Sequence, residues 1–311
     1  MFGFGGKKFR PDEDIPDLSG KVVVITGGNN GLGKESVLQL AKHNPARIFL
    51  AARTPSKAEA AIKEVTTAVP SANISYLKLD LCSFKSISAA AQEFQSQSSR
   101  LDILMNNAGI MATPLAETED GYESQFGTNH MGHALFTKLL MPILLKTAEE
   151  AGSDVRIVNL TSEGHNLAPR PRGILLDEAK LKTQGPWARY GQSKLANILF
   201  TKELASRYPS ITSVAIHPGI IRTDLYGPNQ QSNMLLRYGV MLIGPLIMAD
   251  VPTGALNQLW GAAGKKTEVM SGNYYTPVGA CSKGSKWAQK KDLAEELWAW
   301  TEQELASKGY S

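Results

Sequence analysis

The chain has 311 residues, 42% of them hydrophobic and 20% charged, which excludes disordered and fibrous classes and describes an ordinary globule able to bury a substantial core. Its 33 basic and 29 acidic residues are spread along the chain for a formal charge of +4, so no basic stripe of the kind a nucleic-acid binder shows stands out. Two cysteines, Cys82 and Cys281, are too few and too far apart for a disulfide framework or a thiolate metal site, and a cytoplasmic protein is expected.

Residues 1–20 read as an N-terminal extension, because Pro11, Asp12, Glu13, Asp14, Pro16, Asp17 and Gly20 offer turns and charge rather than periodicity. Residues 21–311 then read as a single domain without repeats or a linker. Val22-Val23-Val24-Ile25 is a continuous β-branched run, the pattern of a strand buried on both faces of a parallel sheet. Thr26-Gly27-Gly28-Asn29-Asn30-Gly31-Leu32-Gly33 follows at once, and residues 34–42 carry a helical pattern with Val37, Leu38, Leu40 and Ala41 inward. Strand, glycine turn and helix form the context in which a backbone approaches a pyrophosphate and the helix N-terminus receives its charge.

A second strand over 46–52 ends in Arg53. A dinucleotide fold reads the adenosine ribose there, with an acid for a free 2′-hydroxyl and an arginine for a 2′-phosphate, so Arg53 points to NADP(H), a surface arginine being the alternative. Ser56 and Lys57 are further donors close by. Helices over 56–68 and 83–97 alternate with strands over 74–80 and 103–105, which implies a doubly wound parallel sheet of the Rossmann type, about seven strands in all, with helices on both faces. Asp80-Leu81 stands at a strand's C-terminal end, where Asp80 either meets the adenine or caps the next helix. Asn106-Asn107-Ala108-Gly109 combines two amides with small residues, suited to a backbone passing close to a ligand.

Residues 121–150 read as a long helix that Pro142 must kink or divide. His130 and His133 share a face of it but lack neighbouring acid or thiol ligands, so packing is favoured over metal and no metal site is expected. A fifth strand, 155–160, ends in Thr161-Ser162. Residues 163–189 are a loop insertion near the site, in which His165 and Trp187 either stabilise the loop or touch substrate. In Tyr190-Gly191-Gln192-Ser193-Lys194, helical spacing makes Tyr190 and Lys194 neighbours, and an ammonium beside a phenol favours the phenolate, which suits general acid–base work. A sixth strand, 211–216, stops at His217-Pro218-Gly219-Ile220-Ile221-Arg222-Thr223, where Thr223 offers a hydroxyl. The apolar stretch 225–248 is shorter than the ~20 residues of a membrane span and is interrupted by Arg237, Gly244 and Pro245. It suits a substrate lid, a homodimer contact or superficial membrane contact. A helix over 253–261, a last strand within 272–278 and a closing helix over 287–307 complete the chain.

Taken together, these motifs over residues 20–280 resemble the short-chain dehydrogenase/reductase family. Thr26-Gly27, Gly31 and Gly33 match its cofactor loop, Asn106-Asn107-Ala108-Gly109 its sheet-stabilising motif, and Pro218-Gly219 with Thr223 its nicotinamide-side turn. Asn30 disfavours the extended branch, which has glycine there. The 28 residues from Ser162 to Tyr190, and Ser193-Lys194-Leu195-Ala196-Asn197, look like the retinol-dehydrogenase-like subgroup and similar fungal reductases of secondary metabolism. The resemblance implies a catalytic group of Asn129, Ser162, Tyr190 and Lys194, with Asn129 positioning a relay water. It implies NADP(H) held by Thr26, Gly27, Asn30, Gly31, Leu32, Gly33, Arg53, Asp80, Leu81, Asn107, Ala108, Gly109, Tyr190, Lys194, Pro218, Gly219, Ile221 and Thr223. The function expected is an NADP(H)-dependent carbonyl reductase or alcohol dehydrogenase acting on a small lipophilic or aromatic ketone, aldehyde or secondary-metabolite intermediate. An NAD-dependent retinol- or steroid-type alcohol dehydrogenase and a dinucleotide-binding redox sensor are the alternatives.

Overall fold

The computed structural model describes residues 6–219, 221 and 249–311. Seven parallel strands, β1 (Val22–Thr26), β2 (Arg47–Ala52), β3 (Ile74–Lys78), β4 (Ile103–Asn106), β5 (Arg156–Leu160), β6 (Thr212–Ile216) and β7 (Tyr274–Tyr275), stand in the order 3-2-1-4-5-6-7. An eighth, β8 (Cys281–Ser282), pairs antiparallel with β7. Sequence periodicity gives no sign of β8, because two residues are too few for an alternation to show.

The apolar run of β1 is explained by the layers on either side. Val22 and Val24 pack into a core with Ile87, Phe94, Leu135, Leu199 and Leu297, whereas Val23 and Ile25 pack into the opposite core with Val37, Leu40, Leu259 and Trp260. Each such side chain, when fully buried, contributes about 1.5–3 kcal/mol. The first layer is built by α3 (Phe84–Gln97), α4 (Gly132–Ala148), α6 (Pro186–Arg207) and α8 (Lys291–Ser307). The second holds α1 (Gly31–Ala41), α2 (Pro55–Ala68) and α7 (Val251–Ala263). The short α5 (Glu178–Lys182) lies within the insertion before α6.

The N-terminal segment packs on the second layer, where Phe9, Ile15 and Leu18 are buried and the Lys7 N–H donates to the Val278 carbonyl at 2.7 Å. Pro142 does not divide its helix, since α4 runs through it for 17 residues. The helical irregularity falls earlier, in a π-turn at Gly127–Met131 that contains Asn129. Among the described residues no helix is long and apolar enough to cross a membrane.

Strand order reverses direction between β1 and β4, which opens a crevice at the C-terminal ends of these two strands, the usual ligand position of such sheets. It has a volume of about 700 Å³, ample for a dinucleotide's reactive half or a small substrate.

Candidate active site

The turn after β1 builds the crevice floor. Gly27 (φ +65°) and Gly31 (φ +51°) take left-handed backbone conformations that favour glycine. Asn30 caps α1, its Oδ1 accepting from the Gly31 N–H at 2.8 Å, and the first-turn N–H groups of a helix lack intrahelical acceptors. Gly33 lies so close to the turn that a Cβ there would sit 2.2 Å from the Gly27 carbonyl oxygen. Gly27, Asn30, Gly31, Leu32 and Gly33 all line the crevice.

Thr26 lies beneath it, fully buried, and acts through its neighbours. Its Oγ1 accepts from the Asn107 N–H at 2.9 Å and the Ala108 N–H at 3.0 Å, while Asn107 Nδ2 donates to the Thr26 carbonyl at 2.8 Å. These bonds lock the end of β4 to the glycine turn, and Asn107, Ala108 and Gly109 line the crevice beside it. Asp80 and Leu81 also line the crevice, with Asp80 Oδ1 accepting from the Cys82 N–H at 3.0 Å; the cap of α3 is Ser83 instead. Arg53 is exposed at the rim and makes no hydrogen bond or ion pair with another described residue. On the other side Pro218 lines the crevice, Gly219 has φ +96°, and Ile221 is buried against Gly254. Thr223 and the apolar stretch 225–248 lie outside the described residues.

Four elements converge at the inner end. Tyr190 and Lys194 project from α6 into the crevice, both 5% exposed, with Lys194 Nζ 5.8 Å from the Tyr190 ring centre. Lys194 Nζ donates to the Leu160 carbonyl at 3.2 Å, and a Cβ built on Gly109 would lie 3.3 Å from that nitrogen. Ser162 leaves the end of β5, and its Oγ accepts from the Gly164 N–H at 3.0 Å. Ser162 and Tyr190 both lie against Gly164, whose added Cβ would fall 2.7 Å from Tyr190 Cε1 and 3.3 Å from Ser162 Oγ, with Ser162 just outside the crevice lining that Tyr190 joins. Asn129 is fully buried behind them, outside the crevice lining. Its Nδ2 donates to the Ile110 carbonyl and to Ser193 Oγ, both at 2.9 Å, and its Oδ1 accepts from the Ile110 N–H at 2.9 Å. Ser193 Oγ in turn donates to the Tyr190 carbonyl at 2.8 Å.

Burial pushes the Lys194 ammonium down from its ordinary value near 10.5 to about 8. Below about 8 both folded and unfolded chains hold this proton and the full cost of burying the charge is present; between about 8 and 10.5 the folded chain releases it first, and that cost is relieved. Relative to Lys194→Met, the ligand-free protein should therefore gain stability as pH rises through this window, by up to about 3 kcal/mol. Urea midpoints for both proteins from pH 7 to pH 10 measure this, and a pH-independent difference between them would refute it.

Gly164 and Ser193 are parts of the site that residue type alone does not reveal. A glycine in a loop and a serine in a helix carry no chemical signature, and their importance lies in what sits next to them. His165 holds the backbone instead of facing the crevice: its Nδ1 pairs with the Ser162 carbonyl at 2.7 Å and its Nε2 accepts from the Ser285 N–H at 2.9 Å. Trp187 stays 38% exposed, its ring centre 6.3 Å from that of Tyr190.

Comparison with known proteins fits this geometry. Residues 21–173 match the family model described as short chain dehydrogenase. The chain belongs to the short-chain dehydrogenase/reductase family and is retinol-dehydrogenase-like. It is 40% identical to the short-chain dehydrogenase/reductase drtF of Aspergillus calidoustus, over 94% of this chain and 95% of that one. It is 36% identical to retinol dehydrogenase 12 of Homo sapiens, over 95% and 88% respectively. Among solved structures, an uncharacterised protein from Mycobacterium paratuberculosis superposes with a TM-score of 0.72 at 30% identity, covering 96% of this chain and 97% of that one. Membership makes this an oxidoreductase of a family that binds a nicotinamide dinucleotide.

Proposed function

We propose that the protein is an NADP(H)-dependent reductase or dehydrogenase acting on a lipophilic ketone, aldehyde or the corresponding alcohol. The observation that carries this reading is the pairing of Tyr190 with the buried amine of Lys194 at one end of a crevice that also holds the glycine turn and Arg53, with Ser162 and Tyr190 both against Gly164. The cradle fits a dinucleotide: Gly27, Gly31 and Gly33 of the turn line the crevice, which lets a pyrophosphate approach the backbone, and the α1 N-terminus borders the same space.

When bound, the reduced nicotinamide supplies the hydride. Tyr190 donates its proton to the carbonyl oxygen during reduction and takes it back in the reverse direction. Ser162 donates a hydrogen bond to the same oxygen and holds the substrate. Lys194 favours the anionic partner in that proton transfer and binds the nicotinamide ribose. Asn129, whose Nδ2 is engaged by Ile110 and Ser193 and whose Oδ1 accepts from the Ile110 N–H, positions a water of the proton relay, as in the family it belongs to.

Two features support the finer points. Arg53 stands at the rim with no hydrogen-bond or ion-pair partner among the described residues, open to a 2′-phosphate, and exposed Leu167 (52%) and Trp187 (38%) lie on the loop beside the Tyr190 helix, which suits a lipophilic substrate. Arg53→Ala should weaken NADPH binding about 10- to 100-fold, the worth of a charge-assisted hydrogen bond, and leave NADH binding within about twofold. Equal or tighter NADH binding by the unaltered protein would favour the NAD-dependent alternative. A panel of lipophilic ketones, aldehydes and alcohols followed by NADPH absorbance tests the activity. Tight NADPH binding without turnover across it would favour a redox-sensing role.

A further inference from the structure

Four hydrogen bonds surround one buried imidazole and the hydroxyl it faces. His133, on the first turn of α4, is 3% exposed, with Nδ1 3.0 Å from the Asn129 carbonyl oxygen and Nε2 2.9 Å from Thr26 Oγ1. A carbonyl only accepts, so Nδ1 carries the hydrogen and donates to Asn129. Burial holds the ring neutral, pushing its pKa down to about 4, so Nε2 is an acceptor and the Thr26 hydroxyl donates to it. That choice leaves both lone pairs of Thr26 Oγ1 for the N–H groups of Asn107 and Ala108, which they take at 2.9 and 3.0 Å. The competing acceptor for the Thr26 proton, the Met105 carbonyl, is 3.4 Å away and weaker for it. Every polar atom in the set is then satisfied in a single arrangement.

From this we infer that His133 is a positioning residue: a neutral, Nδ1-protonated strut that couples the cofactor turn to the Asn129 backbone. One end fixes Thr26, and with it the β4 loop against the glycine turn. The other end fixes the carbonyl of Asn129 within the π-turn, where the helical ladder is irregular. His130, three residues earlier, has no such reach; its Nε2 pairs with Thr301 and its ring packs between Phe126 and Phe200. The catalytic half of this inference rests on the proposed function, the structural half does not.

Two near-isosteres separate the ends of the strut. His133→Asn places an amide near Nδ1 and keeps the bond to Asn129 while losing Thr26; NADPH dissociation constants should rise about 5- to 10-fold, the worth of one hydrogen bond, with kcat at saturating cofactor within about threefold. His133→Gln reaches Thr26 and loses the Asn129 bond; NADPH binding should stay within about twofold while kcat falls about 10-fold at unchanged KM. His133→Leu should show both losses. Nitrogen-15 spectra of the unaltered protein should show His133 as the Nδ1-protonated tautomer, untitrated from pH 5 to pH 9. An Nε2-protonated or titrating ring would overturn the strut, as would losses in the three variants that merely follow their thermal midpoints without the Asn/Gln split. Absence of any carbonyl reduction by the unaltered protein would defeat the proposed function alone, because the dissociation constants and the tautomer are read without turnover.

Discussion

Tyr190→Phe should fold and bind NADPH like the unaltered protein and lose turnover by about 10²- to 10⁴-fold, the range for a positioned general acid. The ring sits in a slot made by Gly164, Trp187 and Lys194, and it is 5% exposed. Phenylalanine fills the same slot, so packing is kept and only the hydroxyl goes. Ser162 still offers a hydrogen bond to the substrate oxygen but does not supply the proton, since an aliphatic hydroxyl is far less acidic than a phenol. Cofactor binding by fluorescence titration and kcat on the best substrate of the panel are the two measurements. Full turnover would end Tyr190's role as proton donor; loss of NADPH binding together with turnover would mean that the hydroxyl organises the crevice and is not the acid.

The second large effect is expected from a single methyl group. In Gly33→Ala the new Cβ would meet the Gly27 carbonyl at 2.2 Å for the oxygen and 2.8 Å for the carbon, and Asn107 Nδ2 at 2.6 Å. Two of those atoms are backbone, so no rotamer change relieves the clash and the turn itself must open. Opening it moves Gly27 away from α1 and breaks the tie between Asn107 and Thr26, so NADPH affinity should fall by at least about 100-fold and stability by the roughly 1–3 kcal/mol of an overpacked site or more. Gly20→Ala makes a control, because its φ is +80° but nothing lies within 4 Å of the added carbon. It should cost about 1–2 kcal/mol of backbone strain and leave NADPH binding unchanged. If Gly33→Ala binds NADPH within about threefold of the unaltered protein, the close approach of turn and helix is not what shapes the phosphate site.

Much of the fold is legible in the chain because its elements are long and their patterns local. The unbroken run at 22–25 announces a strand covered on both faces, and β1 does divide its side chains between two core layers. The spacing of Tyr190 and Lys194 announces one helical face, and both residues reach the crevice. Other features resist such reading. Phe9, Ile15 and Leu18 are single apolar residues among charges, so nothing periodic shows that the segment before β1 is tied into the core. Pro142 removes one helix hydrogen bond, but the packing of α4 around it outweighs that local loss, with Leu140, Met141, Ile143 and Leu144 all buried.

By itself the sequence determined the parallel sheet and its glycine turn, and it named the groups proposed for the site, since these depend on residue type and on spacing within one element. Only the tertiary structure decided how those groups meet: Ser162 and Tyr190 both against Gly164, Asn129 turned away from the crevice and tied through Ser193, and His133 joined to Thr26 across 107 residues of chain. The physical reason is that a hydrogen bond or a close contact between distant segments depends on distance and direction to within a few tenths of an ångström. Those are fixed by the packing of whole layers, and they leave no period, charge pattern or composition in the chain for a reader to find.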